Sequence, residues 1–157
     1  MKYRSFLFWV LALSLLCPFS GCSGGQMTAR ERLDTVLSLC PATPVGQVYD
    51  STAAVWEKEN LPQTISDNLY QSGDGRSAFS LSDECALFLA SGFSGGEAAV
   101  FVASDRGARE VILRICAERL SSLRRAFPEA EAGVLFERGD AVILLFLPGS
   151  EEIRRAL

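Results

Sequence analysis

The sequence predicts an α+β domain behind an N-terminal signal peptide: a four-stranded sheet made of two hairpins, packed with helices. Three observations lead there. The N-terminus runs from basic to apolar to small residues, the layout of an export signal. Two pairs of short apolar runs are each broken by a glycine-bearing turn, which is the pattern of strand, turn, strand. Apolar residues at helical spacing precede, separate and follow those pairs.

The signal comes first. Lys2 and Arg4 precede FLFWVLALSLL over residues 6–16, and CPFSG follows over 17–21. As a helix the apolar run spans about 16 Å at ~1.5 Å per residue, against about 30 Å for a bilayer core. Cleavage is therefore expected rather than a permanent transmembrane anchor. Phe19-Ser20-Gly21-Cys22 has the form of a bacterial lipobox, with small residues before a cysteine that receives the lipid. Phe19 stands where an aliphatic residue is usual; Ser20, Gly21 and Cys22 fit. The expectation is a lipoprotein signal peptide over 1–21, a lipidated tether over 22–27 with Cys22 as the lipidation site, and a single domain over 28–157. Ordinary secretion with Cys22 as a spare thiol is the alternative. One acyl chain holds a protein marginally and two hold it firmly, at about 0.8 kcal/mol per buried methylene.

Composition narrows the functions. The chain has 157 residues, 48% of them hydrophobic, and a formal charge of −4. Loss of Lys2 and Arg4 with the signal makes the mature chain more acidic, so nucleic acid is not an expected partner. The sequence contains no histidine. That removes Ser–His–Asp triads, Cys–His pairs and imidazole-ligated metals within one chain. Once Cys17 is lost and Cys22 is lipidated, Cys40, Cys85 and Cys116 remain. Their odd number argues against a full disulfide framework, and no C-x-x-C spacing suggests zinc. They read as buried free thiols, with one disulfide among them as the alternative. No cofactor and no metal are expected.

The domain itself opens with Thr28-Ala29-Arg30-Glu31, the form of a capping box. Leu33, Val36, Leu37 and Cys40 then mark one helical face, and Pro41 and Pro44 end the helix, giving a helix over 28–40. Residues 41–82 show no clean period. Pro62 could open a short helix carrying Ile65 and Leu69, and QSGDGRS over 71–77 reads as a turn. Gly73-Asp74-Gly75 is too short and too poor in ligands for a calcium loop.

CALFLA over 85–90 and AAVFVA over 98–103 give the first hairpin. The glycines between them lack the Gly-Lys-Ser/Thr and following helix of a phosphate loop. Residues 105–127 form the long helix, with Ile112, Cys116, Leu120, Leu123 and Phe127 as its stripe and Ser104 or Asp105 as its cap. Arg119, Arg124 and Arg125 read as a solvated basic face suited to the helix dipole. The second hairpin joins 133–136 to 141–147, and AVILLFL reads as a central strand covered on both sides. Arg138-Gly139-Asp140 spells an adhesion tripeptide, but a tight hairpin turn accounts for the same residues. Ser150 is expected to cap a last short helix with Glu151 and Glu152 in its first turn and Arg154 and Arg155 in its last.

The lipobox around Cys22, the short first helix, EAAVFVAS, the long helix ending SLRRAF and the closing GDAVILLFLP strand together resemble the clostridial-type lipoproteins of "domain of unknown function 4358". The likeness covers roughly residues 28–157. It implies a membrane-tethered extracytoplasmic domain and no active-site residues.

Two functional classes follow. The first is a non-enzymatic module, anchored in the membrane by its lipid, that binds an envelope protein, a peptide or a small ligand. Trp56, Tyr49 and Tyr70 are candidates to line its groove, with core packing as their other use. The second is a small hydrolase acting on cell-wall or extracellular substrate through two of Asp67, Asp74, Asp83 and Glu84.

Overall fold

A computed structural model describes residues 26–51, 69–92 and 95–157 of the chain. The elements in order are α1 (Ala29–Leu39), β1 (Gly46–Asp50), β2 (Ser82–Ala90), β3 (Glu97–Ala103), α2 (Arg106–Ala126), β4 (Val134–Arg138), β5 (Ala141–Phe146) and α3 (Ser150–Ala156). The sequence expectations for residues 1–21, Cys22, the helix opened by Pro62, Trp56 and Asp67 fall outside the described residues.

The sheet has five strands in the order β1-β2-β3-β5-β4, and every neighbouring pair is antiparallel. The expected sheet had four. The additional strand is β1, an edge strand pairing Gly46 with Ala90 and Asp50 with Ala86. It escapes sequence reading because Val48 and Tyr49 are adjacent and point to opposite faces, so no alternating pattern forms. Both expected hairpins are present. The helix α2 links β3 to β4, which run parallel with β5 between them.

Each face of the sheet carries its own core, because successive side chains alternate across a strand. Leu87, Ala99, Phe101, Val142 and Leu144 face α2 and meet its Ile112, Ile115, Cys116, Leu120 and Leu123. Phe88, Val100, Ile143 and Leu145 face the other way and meet Leu33 and Val36 of α1 and Ile153 of α3. Full burial of each such Leu, Ile or Phe contributes about 1.5–3 kcal/mol. The central strand β5 is buried at every position, as AVILLF covered on both sides requires.

Local signals set the boundaries. Thr28 accepts the Glu31 N–H at 3.2 Å and Glu31 accepts the Thr28 N–H at 2.9 Å, completing the capping box. Asp105 caps α2 by accepting the Ala108 N–H at 2.8 Å. Ser150 does not cap α3. It is the first helical residue, Gly149 holds the N-cap position, and the Ser150 hydroxyl instead donates to the Leu147 carbonyl at 2.6 Å. The Gly139-Asp140 loop has φ +63° at Gly139 and no positive φ at Asp140. That is the type II′ hairpin pattern, which requires glycine first.

The strands define two ends of the sheet. At one end lie the Gly139-Asp140 turn, the end of β3 at Ala103 and the start of β2 at Ser82. At the other lie Gly46, Ala90, Glu97, Val134 and Phe146. From Glu97 to Ala103 the separation is about 20 Å at ~3.3 Å per residue.

Candidate functional site

Among the described residues, the one fully buried carboxylate in the core belongs to Glu97, the first residue of β3. Its position follows from register: Glu97 shares the face of Ala99 and Phe101, so its side chain enters the layer between sheet and α2. An isolated charge there would be untenable. Arg119 supplies the partner from α2. Its Nε donates to Glu97 Oε1 at 3.0 Å and its Nη2 to Oε2 at 2.6 Å, a two-pronged ion pair. Tyr70 donates its hydroxyl to Glu97 Oε1 as well.

Tyr70 is held by an aromatic cluster. Its ring lies 5.1 Å from Phe101 and 5.7 Å from Phe79, and those two are 5.4 Å apart. Burial, followed by the charge of Glu97, pushes the Tyr70 hydroxyl well above its ordinary range, so it stays a donor. Burial works against the Arg119 charge, but the bonds to Glu97 outweigh it and hold the guanidinium even more firmly protonated.

The pair opens onto a cavity of about 210 Å³ at the Glu97 end of the sheet. Leu69, Leu89, Leu123 and Phe127 provide apolar walls, and Glu97 and Arg119 provide the polar contribution. Arg119 is the member in reach of solvent: its side chain is 20% exposed, against 3% for Glu97. A second, mainly apolar cavity of about 170 Å³ lies on the other side of Gly96, between Pro44, Ala130, Phe146 and Leu147. Among the described residues its lining holds one ionisable side chain, Glu131, which accepts the Gly149 N–H at 2.7 Å.

The carboxylates singled out in the sequence are employed elsewhere. Asp74 is exposed and paired with Arg76, whose bonds, together with the Ser72 hydroxyl, hold it well below the usual carboxylate range. Asp83 is exposed at a bulge, since Ser82 pairs with Ala103 and Glu84 with Val102. Glu84 accepts the Ala29 N–H at 3.0 Å, at the N-terminus of α1. None of these three lines the Glu97–Arg119 cavity. Tyr49 and Tyr70 both pack in the core.

The arginines do not form one solvated face. Arg119 turns inward to Glu97, Arg124 donates to the Ala132 and Gly133 carbonyls, and Arg125 donates to the Ser122 hydroxyl at 3.1 Å. Asp140 of the Arg138-Gly139-Asp140 turn is paired with Arg32 at 2.9 Å. Cys40, Cys85 and Cys116 are free and buried. Burial pushes the Cys85 thiol up to about 12 and moves Cys116 upward as well, so neither is a ready nucleophile.

The Glu97–Arg119–Tyr70 cluster was missed in the sequence although part of it was signalled. A glutamate opens an otherwise apolar strand on its inward register, and Arg119 follows Cys116 by three residues on the buried flank of the helix. Among the described residues no group of three or more His, Cys, Asp or Glu side chains is placed to hold a metal ion, and no helix is long and apolar enough to cross a membrane. No protein-family model, no curated protein and no solved structure matches the chain.

Proposed function

We propose that the protein is an extracytoplasmic lipoprotein, anchored through Cys22, whose domain is a non-enzymatic binding module. Its ligand is a small molecule with an apolar body and a carboxylate head, received in the Glu97–Arg119 cavity. The observation that carries this reading is the cavity itself, with its apolar walls and one partly exposed guanidinium. Small-ligand sites have that composition: mostly apolar surface with a few placed polar groups.

The head group follows from which charge is accessible. Glu97 already accepts three hydrogen bonds and is sealed from solvent. Arg119 spends two of a guanidinium's five N–H donors on Glu97 and is the more exposed partner. A carboxylate is the complementary acceptor. The size of the cavity favours a ligand of one ring or one branched chain over a peptide. The lipobox at Phe19-Ser20-Gly21-Cys22, behind the basic and apolar segments of residues 1–16, supports the anchor and the extracytoplasmic location. Of the carboxylates the hydrolase alternative would use, Asp74 is paired with Arg76, Asp83 is exposed, and Glu84 accepts the Ala29 N–H in a small pocket that it shares with Asp50.

The test is an NMR titration of the purified protein with phenylacetate and 4-methylpentanoate, each beside its primary amide. The reading expects the acids to shift Gly96, Glu97, Arg119 and Phe127, the amides to act more weakly, and Arg119→Gln to abolish the difference. Acids and amides that act alike, or shifts located elsewhere, would contradict it.

A further inference from the structure

The chain enters the domain at a fixed place. Arg32 binds three acceptors at once: its Nε donates to the Met27 carbonyl at 2.9 Å, its Nη1 to the Arg138 carbonyl at 3.0 Å and its Nη2 to Asp140 at 2.9 Å. Gln26 donates its side-chain amide to the same Asp140 carboxylate. The Arg32 side chain is 13% exposed and that of Asp140 23%, so the pair is largely shielded. A planar guanidinium suits this task, because its three nitrogens address three directions that a lysine could not. Residues 26 and 27 are thereby fastened to the β4–β5 turn, at the end of the sheet remote from Glu97.

We infer that the domain stands on the membrane by its β4–β5 turn, with Arg32 setting that orientation and the Glu97–Arg119 cavity held at the aqueous end. This inference rests on Cys22 being the lipid anchor. Four peptide steps separate Cys22 from Gln26, a reach of at most about 14 Å when extended. The sheet from its turn end to Glu97 is about 20 Å long. A tether of that reach keeps the turn end within about 14 Å of the bilayer while Arg32 holds, and with the sheet upright the Glu97 end stands about 20 Å farther out. The cavity then takes its ligand from water or from the cell wall side, and a ligand dissolved in the lipid is excluded from it.

The experiment uses the full chain, expressed in a bacterium that processes lipoproteins, purified and placed in phosphatidylcholine vesicles containing a gadolinium-chelate lipid. Intact mass first establishes whether Cys22 carries acyl chains. Amide relaxation is then read at both ends of the sheet. The expected result is enhancement at Gly139 and Asp140 more than about tenfold above that at Gly96 and Phe127, given sixth-power distance dependence across a ~20 Å sheet. In Arg32→Ala the contrast falls severalfold; Asp140→Asn, which keeps the turn and removes the ion pair, serves the same purpose if Arg32→Ala does not fold. An acylated protein with uniform enhancement, or a contrast unchanged in both variants, overturns the orientation and leaves the anchor standing. A protein without acyl chains on Cys22 overturns both.

Discussion

Arg119 lies across both carboxylate oxygens of Glu97, at 3.0 and 2.6 Å, where α2 passes over the first residue of β3. The contact joins the long helix to a central strand through two charges that have little water around them. Such a pair is weak evidence for net stability, because desolvation offsets attraction, yet removing one partner strands the other. Arg119→Ala is therefore expected to lower unfolding free energy by about 3 kcal/mol, whereas the double replacement Glu97→Leu with Arg119→Leu costs much less. Urea unfolding of the three proteins measures this. A double variant as unstable as Arg119→Ala would contradict the assignment.

Tyr70 supplies the third bond to Glu97 and packs against Phe79 and Phe101. Tyr70→Phe keeps the ring and removes one hydrogen bond to a charged acceptor. The expected cost is about 2 kcal/mol. Thermal unfolding of the variant at neutral pH is the check, and an unchanged midpoint would mean that the hydroxyl does not serve Glu97.

High pH should destabilise the fold. Cys85 ionises near its ordinary value of 9.0 in the unfolded chain but only at about 12 in the folded one, because burial disfavours the thiolate. Between those values the unfolded state has lost a proton that the folded state keeps, so stability falls as pH rises. Each such group contributes a slope of up to about 1.4 kcal/mol per pH unit. Cys116, shifted the same way by burial, adds to it, as does Tyr70 once its unfolded form begins to ionise near 10. Stability measured from pH 7 to 11 should be level at first and decline above about 9, and less steeply in Cys85→Ala. A curve flat to pH 11 would contradict the burial of these groups.

Gly133 precedes β4 with φ +62°, and a Cβ there would lie 2.6 Å from the Leu145 carbonyl oxygen and 2.7 Å from the Phe146 ring. Gly133→Ala combines a disfavoured backbone with a collision against a central strand. A loss of about 2 kcal/mol or more is expected from strain of this kind. Denaturant midpoints give the answer, and a neutral substitution would mean that β4 can shift outward freely.

What was legible in the sequence was whatever repeats with a period. The capping box at Thr28, the stripe from Ile112 to Leu123 and the unbroken AVILLF run each state their own geometry, and the structure has α1, α2 and β5 where those signals place them. The edge strand β1 has one neighbour and two adjacent apolar residues, so nothing periodic marks it. The cluster around Glu97 joins residues 27 and 22 positions apart from it, and only the strand register and helix packing bring them together. Arg32 and Asp140 are 108 positions apart, and neither carries a local signal of the other.

The membrane anchor is the claim on which the location and orientation of the domain turn, and fractionation combined with intact mass tests it most directly. The account predicts wild-type protein in the membrane fraction, beginning at Cys22 and heavier than its chain by the attached acyl groups, with Cys22→Ser released from the membrane. Wild-type protein free of acyl groups, or Cys22→Ser held as firmly as wild type, would contradict it.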